Sequence, residues 1–151
     1  MVDWKPGASS ESLHLRAQLL AEIRQFFAAR EVLEIDTPLL APSTVTDVYI
    51  QSLEAKLSDS TGDSPYFLQT SPEFAMKRLL AAGVGSIYQI CKAFRKGETG
   101  KLHNPEFTIL EWYRTGYSMS QLMDEVELLI GQLFNLDKIP RFSYRLLFEA
   151  V

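Results

Sequence analysis

Leu13, Leu19, Leu20, Ile23, Phe26 and Phe27 mark 11–30 with apolar positions mostly three and four apart. That spacing puts most of them on one face of an amphipathic helix. Ser9 or Ser10 would cap its start, and Glu11 suits the positive end of the helix dipole. Residues 32–35 then read as a brief strand. Asp36-Thr37-Pro38 stops it, because proline has no amide hydrogen to give a ladder. Strands are expected again at 49–57 and 66–70, on either side of a turn-rich stretch, 58–65, that reads as an exposed loop. Ser71-Pro72-Glu73 is composed like a helix start, with Ser71 as cap, Pro72 at the first helical position and Glu73 facing the dipole. That helix should pass through Met76, Leu79 and Leu80 to Gly83.

Residues 86–95 and 106–113 are rich in β-branched and aromatic side chains and predict a long antiparallel pair. The link between them, 96–105, is too long for a tight turn and too polar for a core. Such a loop between two strong strands is usually functional. Leu122, Val126, Leu129 and Leu133 predict a helix that starts at Ser118 or Ser120, and Ser118 with Gln121 fits a capping box. After a link at 137–141, residues 143–151 read as the first turns of another helix. It stops among Phe148, Ala150 and Val151 without a C-cap signal, so the chain is expected to be a fragment. Helices and antiparallel strands in this order give an α+β fold, with no internal repeat or low-complexity tract.

Composition narrows the class. A length of 151 residues suits one domain, and 46% hydrophobic with 23% charged residues excludes a disordered or collagen-like chain. No apolar run approaches the ~18–20 residues of a membrane span. The first residues lack a basic-plus-apolar leader pattern, which favours the cytoplasm. A single cysteine, Cys91, forbids an intrachain disulfide and a multi-cysteine metal site. The net charge of −4 argues against wrapping a nucleic acid but leaves room for a small cationic site.

Such a site is suggested near the 96–105 link, where Lys92, Arg95, Lys96 and Lys101 outnumber the single acid Glu98. A cationic, glycine-containing loop suits a phosphate, which arginine grips bidentately; on charge alone a solvated loop is the stronger reading. Strand alternation adds that Gln89, Cys91, Ala93 and Arg95 share one face, as do Phe107, Ile109, Glu111 and Tyr113. If the two faces coincide, Arg95, Glu111 and Tyr113 look into one cleft, suited to a ligand with both an anion and an amine. A salt-bridged sheet surface is the other reading. His103 reads as a surface or capping residue, and Cys91 as a buried core thiol rather than a nucleophile. Trp112, Phe107, Phe26 and Phe27 read as core rather than as a stacking platform.

Three ordered segments carry a resemblance. Val32-Leu33-Glu34-Ile35-Asp36-Thr37-Pro38-Leu39-Leu40, after an amphipathic helix, resembles motif 1 of class II aminoacyl-tRNA synthetases. Phe94-Arg95, the loop, and His103-Asn104-Pro105-Glu106-Phe107-Thr108 with Leu110-Glu111-Trp112-Tyr113 resemble motif 2 of the lysyl-tRNA synthetase branch. Thr70-Ser71-Pro72-Glu73 with Lys77-Arg78-Leu79 is similar to that branch's substrate helix. Within the branch the chain looks most like short paralogues that act on elongation factor P. The first helix begins about ten residues in, so no anticodon-binding barrel is expected ahead of it. Two departures stand out: Gly97 occupies the place of the usual motif 2 glutamate, with Glu98 one position later, and motif 3 does not occur.

The resemblance implies the N-terminal part of a single class II synthetase-like catalytic domain with an antiparallel sheet flanked by helices. It implies an ATP-dependent ligase that activates lysine or β-lysine as an adenylate and transfers it to a lysine of elongation factor P. Arg95 would be catalytic, gripping the α-phosphate and the substrate carboxylate. Glu98, His103 and Asn104 would join Arg95 in holding ATP, while Ser71, Glu73, Glu111 and Tyr113 would line the amino-acid pocket. Magnesium ligands are expected beyond residue 151, so this fragment should be inactive alone. A cytoplasmic homodimer formed through the first helix and 32–40 is expected, with no membrane and no tRNA as partner. Lysyl-tRNA synthesis, or an inactive dimeric binding paralogue, are the alternatives.

Overall fold

The computed structural model describes residues 4–60 and 62–149. Helix α1 spans Ser10–Ala28, with Ser9 as its cap accepting the Ser12 N–H at 3.1 Å. It ends two residues before the predicted stop, and Glu31 at φ 54° turns the chain away. Strands β1 (Leu33–Glu34) and β2 (Leu40–Ala41) precede a hairpin of β3 (Glu54–Asp59) and β4 (Gly62–Leu68). Helix α2 (Glu73–Ala81), strands β5 (Ile87–Phe94) and β6 (Glu106–Tyr113), and helices α3 (Met119–Phe134) and α4 (Tyr144–Glu149) complete the order. The fold is α+β, as the pattern predicts. Among the described residues no helix is long and apolar enough to cross a membrane.

Two compact units form, one of residues 4–30 with 116–149, the other of 31–115. In the first, α1 packs on α3. Ile23, Phe26 and Phe27 are buried, and the Phe26 and Phe27 rings meet edge-on at 5.3 Å. The Arg30 guanidinium stacks 3.5 Å over the Phe26 ring and donates to the Phe26 carbonyl at 2.9 Å, a cation at the helix's carbonyl end. Leu13 is more than half exposed, so the predicted apolar face is covered only toward its C-terminal end. Helix α3 starts with the expected Ser118–Gln121 capping box and ends on Asn135 in the left-handed region. Its predicted stripe is likewise only part core. Leu129 is buried, Leu122 and Val126 are over a third exposed, and Glu125 is buried in their stead. Ala150 and Val151, at the end of the last predicted helix, lie outside the described residues.

The second unit holds two three-stranded sheets, ordered β1-β5-β6 and β2-β4-β3. The first matches the expected antiparallel pair and adds β1, parallel to β5 at Ile87 and Tyr88. The second corrects the sequence reading twice. The strand expected from 49 begins only at Glu54, because Asp47 Oδ1 accepts the Tyr49 N–H at 2.8 Å and holds a local turn instead of a ladder. The stretch 58–65 is mostly strand: Lys56 pairs with Pro65 and Leu57 with Ser64. Proline is tolerated there because β4 is bonded to β3 through its even residues, as Leu68 N–H to Leu53 O shows. The Pro65 nitrogen therefore points to the other edge, where β2 reaches only Phe67 and Leu68. Ser71 does not cap α2; Pro72 holds that place, its carbonyl accepting the Met76 N–H at 2.9 Å.

Candidate functional site

The β5–β6 register pairs Gln89 with Glu111, Cys91 with Ile109, and Ala93 with Phe107. Directly paired residues in an antiparallel ladder share a face. The two faces separated by alternation therefore coincide. Arg95 extends the same face one step past β5, its N–H bonded to the Pro105 carbonyl at 2.9 Å.

Residues 69–71 run beside the end of β5. Phe94 N–H donates to the Gln69 carbonyl at 2.9 Å, and Arg95 Nε donates to the Thr70 carbonyl at 3.4 Å. This brings the segment that carries Ser71 alongside Arg95. The guanidinium has loose partners only. Glu98 lies 3.6 Å away and the Phe107 ring 5.1 Å below, so the charge remains available to a stronger anion.

At the other end of the face, Tyr113 OH donates to Glu111 Oε1 at 2.8 Å. Burial and the negative charge of Glu73 push the Glu111 carboxyl above its ordinary value, against the Tyr113 hydrogen bond and the Lys77 charge. Burial and Glu111 push the Tyr113 phenol up as well, so it stays a neutral donor. Glu73 is paired with Lys77, one turn along α2, at 2.5 Å. Arg95 stands six residues along from Gln89, the partner of Glu111, which is ~20 Å of strand.

The raised Glu111 gives a stability prediction. Between the unfolded and folded values of this group the folded chain binds more protons, so stability is full at low pH and is lost as pH rises through the folded value. Glu111→Gln, which keeps an acceptor for Tyr113, should therefore raise Tm at pH 7, and the gain should vanish in acid. Thermal melts across pH check this; a lower Tm at pH 7 would contradict it.

The link 96–105 turns at Gly97, where φ is 82°. That left-handed value favours glycine, so backbone geometry and not side-chain chemistry accounts for the residue there. Gly100 and His103 exchange backbone hydrogen bonds at 3.0 and 3.3 Å. His103 and Asn104 stay exposed, and no hydrogen bond or ion pair joins either to Arg95. The structure thus gathers Arg95, Glu98 and Ser71 at one end and Glu73, Glu111 and Tyr113 at the other, and leaves His103 and Asn104 apart.

Cys91 is half-buried on this face rather than deep in a core, with Gln69 Nε2 donating to its sulfur at 3.3 Å. Burial pushes its thiol up, against the Gln69 hydrogen bond and the nearby Gln89 amide, which suits an inert thiol. Lys77, Gln69 and Thr70 went unassigned in the sequence reading; only the tertiary approach of 69–71 to β5 brings the last two in.

The family model for tRNA synthetases of class II (D, K and N) matches residues 1–141. An elongation factor P–(R)-β-lysine ligase of Vibrio vulnificus (strain YJ016) is 50% identical over 151 residues, 99% of this chain and 47% of the relative. Its namesake in Vibrio atlanticus (strain LGP32) is 48% identical over 150 residues, 98% of this chain and 46% of the relative. That of Yersinia enterocolitica is 49% identical over 144 residues, 94% and 44%. The chain spans about half the length of the curated relatives it matches. On the matched motifs and on this face of the sheet, the chain belongs to the class II tRNA synthetase family of the D, K and N enzymes.

Proposed function

We propose that this chain carries the motif 2 part of a single class II catalytic domain in an ATP-dependent ligase. The ligase activates lysine or β-lysine as an adenylate and passes it to a lysine side chain of elongation factor P in the cytoplasm. The observation that carries this reading is the shared face: a weakly held guanidinium at one end and a carboxylate pair with a phenol at the other. A ligand with a carboxylate and distant ammonium groups complements it, because buried ammonium requires anionic partners. The names of the relatives support the substrate and the acceptor.

In the first step a substrate carboxylate oxygen attacks the α-phosphorus of ATP, and pyrophosphate leaves with the electron pair of the broken P–O bond. Arg95 binds the carboxylate and the α-phosphate and offsets the charge that builds on phosphorus. Glu98, already at the guanidinium, orients it and faces the nucleotide, with His103 and Asn104 closing from the loop. Glu73 and Glu111 hold the ammonium groups, Tyr113 fixes Glu111, and Ser71 lines the pocket. In the second step an ε-amine attacks the acyl carbon, the acyl–phosphate bond breaks, AMP leaves, and the amine gives up a proton. Magnesium would neutralise the outer phosphates. Among the described residues no group of three His, Cys, Asp or Glu stands together as a metal site.

Lysine-dependent exchange of pyrophosphate into ATP by the complete gene product tests the first step, and a mass increase on elongation factor P tests the second. Absence of exchange would favour the inactive paralogue, and charging of tRNA the synthetase alternative. A homodimer is also proposed: Leu13 and Leu15 on α1 are over half exposed, as is Leu33 in β1. Sedimentation of the complete gene product should give a dimer, and a strict monomer at high concentration would contradict it.

A further inference from the structure

The two carboxylates at the acidic end of this face have unlike partners. Glu111 is half-buried and takes the Tyr113 hydroxyl, a neutral donor, at 2.8 Å. Glu73 is paired with the ammonium of Lys77 at 2.5 Å, one turn along α2. Met76 is fully buried beneath the helix and fixes it, and with it the side on which Glu73 and Lys77 stand four apart. The Lys77 charge also reaches Glu111 and opposes the negative charge of Glu73 there. A lysine side chain of the protein itself thus attends the two acids that the site offers to a substrate ammonium.

The pairing is easily broken. The Lys77 side chain is 56% exposed and that of Glu73 is 45% exposed. Ion pairs this open, four apart on a helix, add little to stability. The lysine stem is long and flexible, so its head can move into water without opening a cavity. An ammonium that entered beside it would meet a like charge, so Lys77 and a substrate ammonium are alternatives at Glu73.

We propose that Lys77 is a displaceable counter-ion of the amino-acid pocket: its ammonium holds Glu73 while the site is empty and yields the carboxylate to the ammonium of an arriving substrate. The exchange makes Lys77 a specificity-determining residue. A simple amine must compete with a cation already tethered beside the acid, whereas a ligand whose carboxylate is also anchored at Arg95 competes on equal terms. The groups that face Glu111 are Tyr113 on its own strand, Glu73 and Lys77 on α2, and Cys91 on β5. The inference rests on the ammonium-binding role proposed for Glu73 and Glu111.

In the complete gene product, Lys77→Met should lower the KM for lysine in pyrophosphate exchange ~3-fold and leave kcat within ~2-fold, because the competitor is gone and Arg95 is untouched. Butylamine, an ammonium without a carboxylate, should inhibit this variant ~3-fold more strongly than the unaltered protein. Lys77→Arg, which keeps a cation, should hold both values near those of the unaltered protein. An unchanged or raised KM in Lys77→Met overturns the proposal, since Lys77 would then be a bystander or a residue that orients Glu73. Carbon-13 titration of the Glu111 carboxyl in the 151-residue chain, assigned with Glu111→Gln, needs no activity. Lys77→Met should raise its midpoint by ~0.3 pH unit, since an opposite charge nearby is lost, and Lys77→Arg should not. An unmoved midpoint in Lys77→Met would set the ammonium away from these acids and overturn the proposal. If the unaltered protein shows no lysine-dependent exchange, the ligase reading fails, and the titration still decides whether Lys77 is the counter-ion of these acids.

Discussion

Arg95→Ala in the complete gene product should reduce lysine-dependent pyrophosphate exchange by ~100-fold or more, the scale of removing one preorganised donor to a developing oxyanion. The residue is suited to such a loss. Its guanidinium is held by a 3.4 Å bond to the Thr70 carbonyl and a 3.6 Å approach to Glu98, contacts too long to consume its charge. Transition-state charge on the phosphate would find that donor free and placed. The substitution should leave the fold intact, because Arg95 stands past the end of β5, partly exposed, and its removal opens no sealed cavity. The melting curve should match that of the unaltered protein. Arg95→Lys should rescue little, since an ammonium cannot make the planar two-point contact. Near-normal exchange in the alanine variant would remove Arg95 from the mechanism.

Phe27→Ala should cost ~3–5 kcal/mol of folding stability, the usual range for truncating a buried phenylalanine. Phe27 is fully buried at the C-terminal end of α1, its ring edge-on to Phe26. The cavity would lie at the part of α1 that supplies its core, since Leu13 and Leu15 toward the start are already exposed. With typical stabilities of 5–15 kcal/mol, a loss of this size leaves the chain marginal. Denaturant melts of the 151-residue chain measure it. A loss below ~1 kcal/mol would show that the site collapses to fill the space.

Where periodicity and capping act locally, the sequence was a good guide. The Ser9 cap, the Ser118–Gln121 capping box and strand β6 appear where the residues predict them. Each depends on neighbours within a few positions. The failures share a cause. Ser, Asp, Gly and Pro between 58 and 65 favour turns, but pairing with Glu54–Asp59 outweighs that preference, and Pro65 escapes penalty only because its nitrogen faces the free edge. Asp47 ends a β-rich run that composition alone extends to Tyr49. Ser71 has the right chemistry for a cap and lies one residue too early.

For the site the division is similar. Alternation along β5 and β6, together with the charge around Arg95, was enough to separate two faces and to name Arg95, Glu111 and Tyr113. Side-chain period is a property of each strand by itself. Whether the two faces are one depends on register, and a slip of one residue would have sent Glu111 and Tyr113 to the opposite side. Only the folded ladder decides that. The approach of Thr70 to Arg95 and of Glu73 to Glu111 joins positions 25 and 38 residues apart, and no local rule encodes such a pairing. Likewise Gln89 reads in sequence as one polar residue in an apolar strand. The partner of its amide oxygen is Thr37, 52 positions away, because burial and hydrogen-bond satisfaction are settled by whatever the fold brings alongside.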